Sequence, residues 1–408
     1  MSIETTPGEI RIRSLILPLY IPTLFFMFGT GMIVPVLPLF ARFLGAGLGL
    51  TGVIVSMRGT GALLFDLPAG AIISRLRRLP VLLAAGAGAA VAAVATGLVH
   101  SIPLVAILTM AAGALHVLWI LTIQTHIRQN LPSHRRGRAL SLVGGTTRIG
   151  WVAGPIVGGY IGKAFGLHAV YFAQAVACLA AGLFLLAGRA HYRSGSREHR
   201  GEALRDKGIP FVRTLKDRWR PVLLVGLVVI TLQMLRIGRQ TLIPLWGERI
   251  GLDVAAIGLV FGLSRAVELL LFVPAGVLMD RLGRKWASIP CILLLAVGLA
   301  LIPFTRSFVG LLLVSMLAGI GNGFGSGVVM TLGADLAPRE SAGEFLGAWH
   351  LMGDIGAISG PLLIGAIAQG LGLQAAPFLI AVFGLAGAWL MIFRVSETLK
   401  KARPGPDG

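Results

Sequence analysis

The chain has 408 residues, of which 55% are hydrophobic and only 13% are charged, and its mean hydropathy is +0.84. Soluble domains carry about 25% charged residues, so a water-soluble protein of this composition would have too little polar surface to cover its core. The composition therefore excludes a soluble globular protein and favours an integral membrane protein, whose lipid-facing surface is apolar.

The net charge of +19 is explained by where the basic residues lie. Most of the 36 lysines and arginines fall in the two termini, short loops and a central basic stretch at 189–220, all of which we assign to the cytoplasm. This is the asymmetry that membrane proteins show, with positive charge inside. We expect the central stretch to contact anionic membrane lipid and expect no nucleic-acid partner.

Twelve apolar segments follow one another, and each exceeds or approaches the roughly 20 residues that a helix needs to cross a bilayer. They are 15–41, 49–73, 79–99, 102–127, 139–162, 167–189, 221–246, 255–279, 286–304, 308–334, 344–369 and 374–394. Helices are expected because backbone groups in lipid must hydrogen-bond internally. An even number of spans places both termini in the cytoplasm, so we expect a multi-pass plasma-membrane protein, in the inner membrane if the source is bacterial.

The chain repeats itself at an offset of 206 residues. The landmarks that coincide are Pro38 with Pro244, Gly52 with Gly258, Pro68 with Pro274, Gly113 with Gly319, Pro155 with Pro361, and Phe172 with Phe378. The fold predicted is an all-α membrane protein with two parallel six-helix repeats around a central cavity. The predicted domains are 1–189 and 221–408, joined by a basic cytoplasmic linker at 190–220.

A glycine- and charge-rich motif lies between segments 8 and 9. The stretch 276–285 matches G-x-x-x-D-R-x-G-R-K through Gly276, Asp280, Arg281, Gly283, Arg284 and Lys285. Its glycines permit a tight turn, and its charges suit a network between helix ends. The motif resembles the signature loop of the major facilitator superfamily, in which it helps to hold the cytoplasmic gate. In the first repeat Ser74 replaces the acid and Arg77 the second glycine, which weakens the expectation of a symmetric gate.

Segment 5 carries a glycine ridge with a proline beside it. The ridge and its flank contain Gly150, Gly154, Pro155, Gly158 and Gly159. Glycines spaced by four let two helices approach closely, and tight packing alone would explain them. The pattern also resembles a motif of the drug–proton antiporters of this superfamily, and the run 29–38 in segment 1 resembles their first-helix signature. Segment 1 departs from the pattern around Phe25 and Phe26, where many proton-coupled cation exporters carry an acid.

Ionisable residues inside spanning segments are costly and suggest function. Away from the ends of the segments, the charged residues are five arginines and three acids, namely Arg58, Arg148, Arg236, Arg239, Arg265, Asp66, Glu268 and Asp354. This excess of positive charge suits an anionic or zwitterionic substrate. Arg239 lies near a helix end, where snorkelling to the membrane surface is the simpler explanation, and the same is plausible for Arg58.

Glu268 has two candidate partners in the sequence. Because segment 5 faces segment 8 in the superfamily, an Arg148–Glu268 pair would bridge the repeats and break during transport. Arg265, three residues away on the same helix face, is the competing partner. His350 and Asp354 share a face of segment 11 and form a candidate proton-coupling pair, although a structural hydrogen bond is the alternative. Asp66 is a candidate gate latch to the basic loop at 75–78.

The substrate-cavity candidates come from segments 2, 4, 7 and 10. They are Arg58, His116, Gln233, Arg236, Gln240 and Asn322. Segments 1, 4, 7 and 10 line the cavity in the superfamily, and polar helix–helix contacts would explain these residues equally well. The glycine-rich run 319–327 follows no strand, so we attribute it to packing and not to a phosphate loop.

No motif for catalysis, a metal or a cofactor stands out, so an enzyme is not expected. The function predicted is secondary active transport, as proton-coupled efflux of small organic molecules by a monomer. An importer or exchanger of organic anions is the alternative within the class. A non-transporting membrane sensor or scaffold is the alternative of another class. The intact loop at 276–285 argues against it, and the degraded loop of the first repeat leaves it open.

Overall fold

The computed structural model describes residues 15–189, 192, 211–337 and 342–397, and this part of the chain is helical without a strand. The helices are α1 (Ile21–Phe43), α2 (Leu48–Arg75), α3 (Arg78–Leu98), α4 (Ile102–Asn130), α5 (Ser133–Phe165), α6 (Leu167–Ala187), α7 (Phe211–Arg249), α8 (Val254–Leu282), α9 (Arg284–Leu301), α10a (Phe308–Phe324), α10b (Val328–Leu336), α11 (Ala342–Gly370) and α12 (Ala375–Phe393). A π-helical turn, Ile16–Tyr20, precedes α1.

Eleven helical stretches of the described residues are long and apolar enough to cross a membrane, with α10a and α10b counted together. The helix outside this set is α5, whose first turns are basic and whose second half is rich in glycine. With α5, the helices correspond to the twelve predicted segments. The all-α fold with two six-helix repeats is confirmed.

Contacts divide the chain into two units, of which the first comprises Met1–Gly45, Met57–Asp206 and Asp253–Gly262. Within it α1 packs against α5 and α6, and α3 packs against α4 and α6. Its core includes the rings of Phe26 and Trp119, which stack in parallel with centroids 4.2 Å apart. Burial of these large aromatic faces is a main source of its stability.

The second unit comprises Ala46–Ser56, Lys207–Leu252 and Leu263–Gly408. Here α7 packs against α11 and α12, and α9 packs against α10a and α12. These are the helix pairs of the first unit shifted by six helices. The sequence repeat is therefore also a repeat of helix packing.

The two units exchange a short segment each, which chain order alone does not predict. The start of α2 belongs to the second unit and the start of α8 to the first. A Cβ at Gly52 would overlap the Pro361 carbonyl, and one at its repeat mate Gly258 would overlap the Pro155 carbonyl. Glycine is needed at both positions because the backbones touch. The domain limits predicted at residues 189 and 221 stay a prediction.

The helices differ most from the predicted segments at the start of α5, at the start of α7 and within the tenth segment. α5 begins at Ser133, and α7 begins at Phe211 inside the stretch expected to be a linker. Within that linker, residues 190, 191 and 193–210 lie outside the described residues, so its lipid contact stays a prediction. The tenth segment, expected to be continuous over 308–334, is broken at Gly325–Gly327.

Candidate functional site

The break between α10a and α10b lies in the second unit and depends on a glycine. Gly327 has φ +87°, a conformation that residues with a Cβ rarely adopt. The glycine run was attributed to packing, and this holds for Gly319, where a Cβ would overlap the carbonyl of Ser264. It also holds for Gly325, where a Cβ would overlap Sγ of Cys291, but not for Gly327, which precedes the next helix with a positive φ.

Arg236 of α7 reaches this break. Its Nη2 donates to the carbonyl oxygen of Gly325 at 2.7 Å, and its Nη1 donates to Oε1 of Gln233 at 3.2 Å. The guanidinium thus adds a second hydrogen bond at the helix break, because the same carbonyl also accepts from the backbone N–H of Val328 at 3.2 Å. Gln240, also proposed from the sequence, is partly buried on the same helix.

A buried charge cluster lies beside Arg236. Glu268 of α8 accepts from Nη2 of Arg239 at 3.2 Å and from Nη1 of Arg265 at 3.1 Å. Asn322 of α10a is 6% exposed and lies close to Glu268. Two arginines against one acid leave this cluster positive, before Arg236 is added. A buried charge requires a closely paired opposite charge, because its transfer from water is costly.

The position of Arg239 corrects a sequence expectation. Its side chain is 1% exposed and paired, so the prediction that it snorkels to the membrane surface is wrong. Arg239 lies three residues beyond Arg236 on α7 and pairs with Glu268 of α8, whereas Arg236 reaches Gly325 between α10a and α10b. Position along the helix does not distinguish an arginine that extends to the membrane surface from one that turns toward an acid on the neighbouring helix.

The structure assigns Glu268 to its competing partner. Both carboxylate oxygens of Glu268 lie within 3.2 Å of Arg265. Arg148, the other candidate, donates to the Gly144 carbonyl of its own helix at 3.3 Å. A bridge from Arg148 to Glu268 therefore stays a prediction.

The two substrate-cavity candidates of the first unit, Arg58 and His116, each lie beside an aromatic ring. The guanidinium of Arg58 lies 5.9 Å from the ring centroid of Trp151, within reach of a cation–π interaction. The ring of His116 stacks on Phe26 with centroids 6.2 Å apart. Trp151 was overlooked in the sequence because it lies inside the glycine ridge.

The glycine ridge of α5 serves close helix packing, as expected. A Cβ at Gly150, Gly154 or Gly158 would press on the backbone of α1 between Met27 and Met32. Gly159 instead faces the start of α8. Pro155 supplies the carbonyl that Gly258 contacts.

The signature loop forms a charge network within the second unit. Nε of Arg284 donates to Oδ2 of Asp335 at 2.8 Å, and Nη1 lies 3.8 Å from Asp280. The carboxylate of Glu397 accepts from the backbone N–H groups of Arg284 and Lys285. Neither Asp335 nor Glu397 was singled out in the sequence, since both lie far from the motif along the chain.

The two glycines of the loop have different roles. Gly283 ends α8 with φ +112°, whereas Gly276 lies within the helix and a Cβ there would meet open space. The expectation that both glycines form the turn is therefore wrong for Gly276. Arg281 is exposed.

The remaining candidates lie on α11 and α2. In α11, Asp354 is partly buried and His350 is exposed one turn earlier. Asp66 is partly buried in α2. Among the described residues no group of three His, Cys, Asp or Glu side chains could hold a metal, and Cys178 and Cys291 are buried and unbonded to each other.

Comparison with known proteins identifies the family. The model of the Major Facilitator Superfamily matches residues 19–269 and 234–408. The chain belongs to the major facilitator superfamily. Its members are transporters and not enzymes, so the chain is a multi-pass membrane transporter for small molecules. The resemblance drawn from the signature loop is confirmed.

Relatives in the superfamily include drug-resistance proteins. The chain is 28% identical to the class C tetracycline resistance protein of Escherichia coli over 364 residues, or 83% of this chain and 86% of the relative. It is 26% identical to the multidrug resistance protein MdtG of Enterobacter lignolyticus over 389 residues, 92% and 91% of the two chains.

Solved structures share the fold at lower identity. A POT family transporter superposes with a TM-score of 0.77 at 12% identity and covers 93% of this chain and 95% of its own. A D-xylose–proton symporter superposes with a TM-score of 0.70 at 18% identity, covering 95% and 98%. At these identities the structures establish the superfamily fold alone.

Proposed function

We propose that this transporter exports small organic molecules in exchange for protons. The observation that carries the proposal is the similarity to resistance proteins along 83% and 92% of the chain. The glycine ridge of α5, packed closely on α1, supports the same branch of the superfamily. Protons moving down their gradient would supply the free energy for alternating access, in the inner membrane with both termini in the cytoplasm.

We assign proton coupling to Asp354. Of the three acids that lie away from the ends of the predicted segments, Glu268 is held by two arginines at 3.1 and 3.2 Å, so a proton there would have to displace an ion pair. Asp66 lies near the basic loop at 75–78 and suits a latch. Asp354 is partly buried, and His350 one turn earlier on α11 is exposed. A proton taken up by His350 could therefore pass to Asp354.

We assign gating to the network around Arg284. A bidentate arginine–carboxylate contact is geometrically demanding, and Arg284 contacts Asp335 through both Nε and Nη2. This contact ties the start of α9 to the end of α10b. Its breakage and formation would accompany movement of these helix ends during transport.

An organic-anion exchanger is the second candidate, because one observation favours it. The second unit concentrates Arg236, Arg239 and Arg265 around a single acid, Glu268. An anionic or zwitterionic substrate would balance the remaining positive charge. The substrate contacts in this case would be Arg236 with Gln233 and Gln240.

Uptake into inside-out membrane vesicles with an acidic interior tests the proposal, since export then becomes accumulation. The compounds are tetracycline, a lipophilic cation and an organic anion. Accumulation of the first or second that disappears when the pH gradient is collapsed supports proton-driven efflux. Movement of the anion alone, indifferent to the gradient, would replace the proposal with the anion exchanger. Vesicles without the protein provide the baseline.

A further inference from the structure

A small cavity lies inside the first unit, among α1, α2, α3, α4 and α6. Its volume is about 40 Å³, compared with the roughly 10–15 Å³ that one water needs. Alanines of α3 form part of its wall, and its polar lining residues are Thr30, Arg58, Thr96, Thr109, Tyr171 and Gln174. The cavity can therefore hold a small ion with accompanying water but no organic molecule.

Arg58 is the charged residue among those lining side chains, and its counter-charge is missing from the described protein. None of the described acids forms an ion pair with it. Its repeat mate is the uncharged Ser264, so the fold itself does not require a charge here. A guanidinium at membrane depth is costly unless an opposite charge balances it.

The polar groups around the cavity are hydrogen-bond donors. Tyr171 is 3% exposed and its hydroxyl has no partner in the structure. Thr30, Thr109 and Gln174 are 5%, 7% and 9% exposed. The Thr96 hydroxyl is already used, because it donates to the Ala92 carbonyl at 2.7 Å. A buried hydroxyl without a partner among the described residues is available to a bound water or ion.

We propose that this cavity binds a monovalent inorganic anion of chloride size. Arg58 supplies the opposite charge, and Tyr171, Thr30, Thr109 and Gln174 supply donors. No carboxylate lines the cavity to repel an anion, and the alanines of α3 leave room for it. The anion would neutralise Arg58 and hold α2 to the rest of the first unit. This site does not depend on which substrate is transported or on proton coupling.

Crystals of the full chain grown in bromide test the site directly. An anomalous difference peak is expected among Arg58, Tyr171 and Thr109, because bromide substitutes for chloride and scatters anomalously. A cavity occupied by water alone in crystals that contain bromide would overturn the proposal.

Thermal unfolding of the purified protein provides the second test. Gluconate is an anion too large for the cavity. Replacement of chloride by gluconate at constant ionic strength should therefore lower Tm, and added chloride should restore Tm in a saturable manner. Arg58→Gln should abolish the chloride dependence. Tyr171→Phe, which keeps the ring, should weaken chloride affinity about tenfold by loss of one hydrogen bond to a charged group.

The matched control for Arg58 is Arg249→Gln, which also removes an arginine that lies over a tryptophan. Its chloride dependence should equal that of the wild type. A chloride dependence unchanged in both Arg58→Gln and Tyr171→Phe, or absent from the wild type, would overturn the proposal. If Arg58→Gln does not fold, Tyr171→Phe and the bromide peak decide the question.

Discussion

Nη2 of Arg239 lies 3.2 Å from Oε2 of Glu268, so a buried ion pair joins α7 to α8. The Arg239 side chain is 1% exposed and that of Glu268 is 11% exposed. Arg265 adds a second guanidinium to the same carboxylate. The acid therefore holds two arginines that would otherwise repel each other in a poorly solvated place.

Removal of this acid should be far more destabilising than removal of an exposed one. Glu268→Gln keeps the size of the side chain but leaves Arg239 and Arg265 without a counter-charge, which should cost about 3–5 kcal/mol. Thermal unfolding in detergent measures the effect. The control is Asp253→Asn, which disrupts an exposed ion pair with Lys163 worth about 0–1 kcal/mol and keeps a side chain that caps α8. Equal stability of the two variants would show that the buried pair is not structural.

The two glycines of the signature loop should respond differently to alanine. Gly283 has φ +112°, so Gly283→Ala should cost about 1–3 kcal/mol and impair transport. Gly276 lies within α8 against open space, so Gly276→Ala should be neutral or stabilising by about 0.5–1 kcal/mol. Unfolding and vesicle uptake measure both. Loss of transport in Gly276→Ala with normal stability would contradict a purely structural assignment.

Alanine at either of the mated glycines of α2 and α8 should impair the protein. Gly52→Ala and Gly258→Ala would each press a methyl group on a proline carbonyl, at a cost of about 1–3 kcal/mol. Gly70→Ala, also helical but beside open space, is the control. Wild-type stability and transport in both mated variants would argue against backbone contact at these points.

The exposed Asp253 should titrate below the usual range of an aspartate. The side-chain hydrogen bond from Lys163 is the main cause of its lowered pKa, followed by the backbone N–H of Ala256, which donates to it at 2.7 Å. The carboxylate thus favours the folded state at neutral pH, and this small contribution is lost as the pH falls through the lowered pKa.

Replacement of Lys163 checks the cause of this shift. Lys163→Met should raise the pKa of Asp253 part of the way to its ordinary value, because the bond from Ala256 remains. Carboxyl-carbon NMR of labelled aspartate measures the titration. An unchanged pKa would mean that the backbone hydrogen bond alone accounts for it.

Much of the fold could be predicted from the sequence, because hydropathy identifies the spanning segments and a repeat at a constant offset relates distant parts of the chain. The offset of 206 paired Gly52 with Gly258 and Pro155 with Pro361, and these residues make equivalent contacts in the two units. The break at Gly325–Gly327 was not predicted, since a glycine run in an apolar segment is compatible with either packing or interruption.

The candidate charge pairs were less predictable from the sequence. Arg265 and Glu268 lie three apart, so helical spacing identified them. Arg239 and Glu268 are 29 residues apart and Arg284 and Asp335 are 51 apart, and nothing in local spacing distinguishes these partners from others. Side-chain direction on neighbouring helices, which depends on the rotation of each helix, decided which arginine met which acid.

The measurement that tests proton-coupled export most directly is the internal pH of proteoliposomes as they release a transported compound. Liposomes loaded with the best compound from the vesicle screen are diluted into compound-free buffer, with the membrane potential held at zero. Exchange predicts that the interior becomes acidic as the compound leaves, and that Asp354→Asn abolishes this change while Asp253→Asn does not. Release of the compound without acidification, or with the same acidification in Asp354→Asn, would contradict the account.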